Sequence, residues 1–355
     1  MTVRPAVAFR AACRRRGSAS AAVLALAVAA PAAGWPVVLP AGFAGPVEPA
    51  GPVEAARQTA RSAAFSARVE VEWVDGRGRH STSVDVRAGD GLVRVAGVEP
   101  ADRAARGASP LVLGDGWLLV ARAEPGAPAG TLPPAAAAKY DIERLPGPVV
   151  AGRPTAMVVL SAGGAVRERL AIDEESGLVL RRELFGESAD RPVRSVTVTE
   201  LDTTPPSLPP GPARAEGADP VAPDRLGSVY RTPEELEGGY RRVGAFRRGP
   251  VVHVLYSDGL HGLSLFVQPG RLDRERLPAG GEAVRLGRAD ALRYTWAGGE
   301  IVTWESGPVV RTLVGDAARA EIMEAARSVP SAPKPSALER LRSACRQMAE
   351  VLGAG

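Results

Sequence analysis

The stretch 251–269, VVHVLYSDGLHGLSLFVQP, decides the fold class of the second half of the chain. Two runs rich in β-formers, 251–256 and 263–267, flank Ser257, Asp258, Gly259 and Leu260, and Asp-Gly is the pair a tight primed turn demands. A β-hairpin is therefore predicted, with the polar residues at its tip serving turn geometry. His253 alternates with Val252 and Val254, which puts it on the opposite face of its strand.

Outward from the hairpin, strands are expected at 240–247, 282–286, 291–296, 300–304 and 309–314. Asp316 then caps a predicted helix, 317–328, whose Ile322, Met323 and Ala326 face the sheet. The result is a small α+β domain, 225–329, of antiparallel sheet plus helix. Beyond it, 330–355 comprises a short linker and an amphipathic helix with capping-box spacing at Ser336 and Glu339. Its stripe of Leu338, Leu341, Cys345, Met348 and Leu352 either docks on its own chain or faces a partner.

Upstream of the small domain, prolines 205, 206, 209, 210, 212, 220 and 223 make 204–224 a semi-rigid linker and a domain boundary. The preceding segment, 48–203, opens with a short helix at 53–64. In the following strand Val69, Val71 and Trp73 alternate with Glu70 and Glu72. Further strands are expected at 82–87, 91–96, 111–113, 117–121, 155–160, 166–173, 178–184 and 193–201. Val166, Leu170 and Ile172 share one face of the strand at 166–173, opposite Arg167, Arg169 and Ala171. This pattern predicts a long antiparallel meander with one apolar face and one wet face. Twist would curl it into a half β-barrel, with the helix at 53–64 as its plug. Val69, Val71, Trp73, Trp117, Leu170 and Ile172 are the candidate lining of its apolar cavity, and lipid the candidate ligand. Trp73, Trp117, Tyr256, Phe266, Trp296 and Trp304 are candidate contact residues, although core packing is the default use of an aromatic on a strand.

The N-terminus carries a targeting pattern. Arg4, Arg10, Arg14, Arg15 and Arg16 precede an uncharged stretch, 17–47, with an Ala-rich apolar heart at 21–30, which reads as a signal peptide over residues 1–32. Pro31, Pro36 and Pro40 interrupt the stretch and favour cleavage over the alternative of a retained signal anchor. Loss of those five arginines leaves 39 basic against 40 acidic residues, so the basic character belongs mostly to the signal and nucleic-acid binding loses its main support. An extracytoplasmic location is expected either way. Lysine is nearly absent, with only Lys139 and Lys334. Of the two cysteines, Cys13 lies in the signal, leaving Cys345 without an internal disulfide partner.

Catalytic chemistry is not supported by the sequence. Ser257, Asp258 and His261 are too close together across one hairpin to align as nucleophile, orienter and base. There is no G-x-S-x-G elbow. His80, His253 and His261 are the only histidines, no C-x-x-C or H-E-x-x-H motif occurs, and no phosphate-binding loop is present, so no catalytic residue, metal or cofactor is assigned.

Several local patterns resemble those of the MucB/RseB family of extracytoplasmic regulators of anti-sigma factors. They are Lys139-Tyr140-Asp141 followed by Val150-Ala151-Gly152-Arg153; Asp173 with Ser176-Gly177-Leu178-Val179-Leu180-Arg181; and Gly238-Gly239-Tyr240, Tyr256-Ser257-Asp258-Gly259-Leu260, 263–267 and 298–304. The Asp173 pattern is shared with LolA-type lipoprotein carriers. The resemblance implies a LolA-like first domain and a non-catalytic protein. Its partner would be the extracytoplasmic region of a membrane anti-sigma factor, shielded from proteolysis while bound and released by lipid or lipoprotein signals. Tyr256, Asp258, Leu260 and Phe266 of the hairpin are the residues placed at the partner contact. A lipid or lipoprotein carrier is the alternative.

Overall fold

Period-two alternation becomes structure first in β1 (Phe65–Asp75), where Phe65, Ala67, Val69 and Val71 are buried while Arg68 and Glu70 are exposed. The computed structural model describes residues 64–331, apart from 90–91, 97–111, 114–116, 123–138, 187–189, 205, 207–218, 223–225, 227, 259, 275–276 and 279. The signal segment, the helix stripe at 336–355 and all but the last residue of the predicted plug at 53–64 lie outside the described residues.

After β1 come β2 (Gly78–Gly89), β3 (Leu92–Ala96), β4 (Val112–Leu113) and β5 (Trp117–Arg122). They are followed by β6 (Asp141–Pro146), β7 (Thr155–Ala162), β8 (Ala165–Asp173), β9 (Val179–Phe185) and β10 (Pro192–Asp202). These form one open ten-stranded antiparallel sheet in the order β4-β5-β3-β2-β1-β10-β9-β8-β7-β6. The pairing of β1 with β10, from Ser66 opposite Asp202 to Trp73 opposite Arg194, joins the two arms of the meander. Short connections between neighbouring antiparallel strands favour this order.

Two features of the first sheet differ from the sequence pattern. β6 is not marked by alternation, because all six of its residues are exposed on the sheet edge. The second face is not uniformly wet. On β7 and β8, Val158, Leu160 and Leu170 are buried in a cluster with Tyr140 and Leu260, while Ala171, on the other face of β8, joins the cluster of Val69 and Val71. The sheet is thus apolar on both sides near β7–β9, because something from outside it covers the far side.

That cover is the second sheet. It comprises β11 (Asp219–Pro220), β12 (Glu235–Leu236), β13 (Tyr240–Arg248), β14 (Val251–Ser257), β15 (Gly262–Pro269), β16 (Glu282–Leu286), β17 (Ala289–Trp296), β18 (Gly299–Ser306) and β19 (Val309–Gly315). The order is β11-β13-β14-β15-β19-β18-β17-β16, with β12 also on β13. β11 falls inside the proline-rich stretch and pairs with Phe246 and Arg247, so the end of that stretch is sheet edge rather than free linker. Proline is tolerated there because an edge strand leaves one row of amides unpaired.

The predicted hairpin forms between β14 and β15, with Val252 opposite Val267 and Ser257 opposite Gly262, but residues 258–261 connect the strands where a tight primed turn would need only two. Val252, Val254, Leu265 and Leu313 of its central strands are fully buried on one face with Val302 and Trp304. Burial of each such aliphatic side chain contributes about 1.5–3 kcal/mol. His253 lies on the other face, stacked at 4.3 Å on Phe266, and burial lowers its pKa to about 4, so it is a neutral core residue at physiological pH. One helix, α1 (Arg319–Ser328), packs Ile322, Met323, Ala325 and Ala326 on the first of these faces. Asp316 does not cap it: the N-cap is Ala318, with no side-chain cap bond, because the Asp316 carboxylate is engaged elsewhere. Among the described residues no helix is long and apolar enough to cross a membrane.

The Asp173 pattern has a plain physical basis. Gly177 adopts φ +70° to turn β8 into β9. One Asp173 oxygen accepts hydrogen bonds from the Ser176 amide and the Arg153 Nε, each at 2.9 Å, and from the Ser176 hydroxyl. Burial works to raise the pKa of this carboxylate, but the bonds from Arg153 and Ser176 outweigh it and hold the group below its ordinary value. A depressed carboxylate stabilises the fold above its unfolded pKa, and that stabilisation is lost as pH falls through the folded value. Asp173→Ala is expected to cost about 1.5–3 kcal/mol at pH 7. Urea midpoints for the variant and parent should converge as the pH is taken down through the acid range.

Candidate functional site

The hairpin tip is where the two sheets meet. Asp258 is buried, and its Oδ1 accepts the amides of Leu260 and His261 at 2.9 and 2.7 Å, which closes the turn. Its Oδ2 reaches the other sheet's side of the molecule: Tyr140 Oη and Lys139 Nζ both donate to it at 2.5 Å. Lys139 also pairs with Glu321 of α1 at 3.2 Å, and its ammonium lies 4.9 Å from the ring centre of Tyr140 and 5.0 Å from that of Tyr240. Tyr240 donates to the same Glu321 oxygen at 3.1 Å. Burial, then the field of Asp258, pushes the Tyr140 phenol upward, so it stays protonated and donates.

A second group of charges lies beside the first. Glu168 on β8 and Arg182 on β9 are ion-paired and buried. Arg182 Nη1 continues to Asp316 Oδ2 at 2.8 Å. Asp316 Oδ1 accepts the Gly262 amide at 3.2 Å, and the Asp316 carbonyl accepts Arg194 Nη2 at 2.8 Å. Burial opposes the charge on Asp316, and Arg182, His261 and Arg194 overcome that and hold its pKa well below the ordinary range. Burial and the neighbouring Arg182 bring Arg194 down to about 10. His261 sits among them, with Nε2 3.6 Å from Glu168 Oε2 and Nδ1 3.7 Å from Asp316 Oδ1. Burial alone would lower its pKa; the adjacent carboxylate of Asp316, with the fields of Glu168 and Asp258, raises it above the ordinary value instead.

The hairpin residues expected at a partner contact are therefore internal. Tyr256 is fully buried and donates to the Pro233 carbonyl at 2.9 Å; Asp258 holds Lys139 and Tyr140; Leu260 packs with Val158, Leu160 and Leu170; Phe266 packs with Ile301 and Val314. None presents a free surface. The six residues expected to line one cavity divide. Val69 and Val71, with Trp73 packed against them, belong to one cluster; Leu170 and Ile172 belong to another on the opposite face of β8. Trp117 is placed on β5, and the surroundings of its side chain lie outside the described residues. Ser257 donates to the His261 carbonyl at 3.0 Å.

Glu168, Arg182, Arg194, Lys139 and Glu321 were not expected at a site. A signal was present for two of them. Glu168 shares its strand parity with Leu170, and Arg182 with Leu184, so each is a charge on an apolar row. A buried charge at such a position requires a partner.

Fold and site together define a chain of two antiparallel sheets locked by a buried ionic junction at a hairpin tip. It is similar to MucB: to the complex of Pseudomonas aeruginosa MucA/MucB, at 20% identity over 80% of this chain and 98% of that one with a TM-score of 0.44. It is likewise similar to MucB crystallised alone, at 19% identity over 78% and 95% of the two chains with a TM-score of 0.45. A putative outer membrane lipoprotein-sorting protein domain from Vibrio parahaemolyticus matches 43% of the chain and 91% of its own length at 11% identity and a TM-score of 0.18. No protein-family model and no curated protein matches the chain.

Proposed function

We propose that this chain is a non-catalytic, exported regulator that binds the extracytoplasmic part of a membrane anti-sigma factor and shields it from proteolysis. In this reading 48–203 and 225–329 act as two domains, and the segment 1–32 directs export. The observation that carries the proposal is the position of Tyr256, Asp258 and Leu260. The motif that bears the family resemblance is the one that fastens the two sheets, through Lys139 and Tyr140 on one side and Leu260 on the other. A regulator needs two arrangements whose balance a ligand can shift, and a joint built of buried charges is suited to two discrete arrangements. The lipid-carrier alternative has less behind it, since the expected lining residues are packed into two separate clusters.

Crosslinked pull-down of the full-length protein from its native membranes, with proteins and extracted lipids identified by mass spectrometry, tests the proposal. A single-pass anti-sigma factor as the dominant partner is the expected result. Lipid or lipoprotein without such a factor would move the protein to the carrier class.

A further inference from the structure

We propose that His261 is the proton-operated element of a latch between the two sheets: the protonated imidazole holds the hairpin tip against the first sheet, and its loss of a proton loosens the joint. This inference concerns the chain alone and stands apart from the choice of partner.

The geometry is that of a charge account with one group left over. Glu168 on β8, Asp316 before α1, Asp258 in the hairpin tip and Glu321 on α1 bring carboxylates to the junction; Arg182 on β9, Arg194 on β10 and Lys139 before β6 bring cations. Formally the acids outnumber the bases by one, and a protonated His261 closes the difference. Tyr140 and Tyr240 add hydroxyls that donate to Asp258 and Glu321 and carry no charge. Glu168 Oε2 takes no hydrogen bond among the described residues, and the His261 Nε2 is the imidazole nitrogen facing it at 3.6 Å. An uncompensated carboxylate oxygen in a buried site is costly, so the proton on His261 is worth most here.

The other ring nitrogen faces two neighbours of opposite demand. Arg182 Nη2 lies 3.4 Å from Nδ1 and can only donate to it; Asp316 Oδ1 lies 3.7 Å away and can only accept. A neutral ring with its lone pair at Nδ1 suits Arg182, whereas the imidazolium turns N–H groups toward Asp316 and Glu168 and is repelled by the guanidinium. The three nearby carboxylates, Glu168, Asp316 and Asp258, outweigh that repulsion. Since the folded pKa is raised above the ordinary 6.5, the stabilisation is complete below that value and is lost as pH rises through the folded one. A rise in pH, rather than a fall, releases the latch.

Hydrogen exchange on the full-length protein between pH 6 and 9, corrected for intrinsic rates, reads this directly. The amides of Leu260, His261 and Gly262 are held by Asp258 and Asp316, and those of Leu265 and Leu313 in the core of the second sheet serve as the reference. Protection of the tip amides should fall severalfold as pH rises across the range, while the reference amides keep theirs. In Glu168→Gln, which removes a carboxylate facing the ring, the fall should begin at lower pH. Tip protection that is constant from pH 6 to 9 in the unmodified protein, or that falls in step with the reference amides, would overturn the proposal.

Discussion

Arg182→Ala should cost the protein about 3–5 kcal/mol, because it strips the shared cation from two buried carboxylates at once. Arg182 is buried on β9 and is the ion-pair partner of both Glu168 and Asp316. Once it is gone, Glu168 has lost its guanidinium and Asp316 keeps only its amide bond and the more distant cations. The cost is that of the stranded charges rather than the net worth of the pair. Arg182→Met with Glu168→Leu should recover only the share of the loss that belongs to Glu168, since apolar groups of similar volume replace that ion pair at little net cost while Asp316 stays without its guanidinium. Urea unfolding of the single and double variants checks this. A loss under about 1 kcal/mol in Arg182→Ala would mean that the junction is solvated in solution.

Tyr240→Ala is the second large effect, at about 3–5 kcal/mol, by the cost of emptying a buried aromatic site. Gly238 and Gly239, at φ +84° and +78°, turn the chain so that Tyr240 enters β13 with its ring fully buried in the main core of the second sheet. Its hydroxyl emerges on Glu321, beside Lys139. The residue thus links the core to the junction, and the two roles separate by substitution. Tyr240→Phe keeps the ring and loses one hydrogen bond, for about 1 kcal/mol. If Phe and Ala variants unfold at similar urea concentrations, the hydroxyl rather than the ring is what matters at this site.

Much of the fold was legible because strands are local. Alternation in 69–73 and the Asp-Gly pair at 258–259 depend on neighbours in sequence, and both foretell the strands that form. β6 escaped alternation because an edge strand with both faces exposed needs none; Asp141, Glu143 and Arg144 look like loop. The junction escaped for a different reason. Lys139 meets Asp258 across 119 residues and Tyr240 meets Glu321 across 81, so nothing in either local context announces the partner. Asp316 was the instructive case. An acid just before a helix suggests a cap, yet the same carboxylate is drawn to Arg182, because a buried guanidinium outcompetes amides that solvent or the preceding carbonyls can satisfy.

The scarcity of lysine gives the junction a chemical address. Of the chain's two lysines, one is Lys139, whose side chain is 23% exposed and tied to Asp258 and Glu321. Acylating reagents need access to the amine, and here they meet one whose hydrogen bonds go to two carboxylates. The same amine becomes a built-in footprint: the rate at which residue 139 is acylated, read by peptide mapping, follows how often the two sheets part.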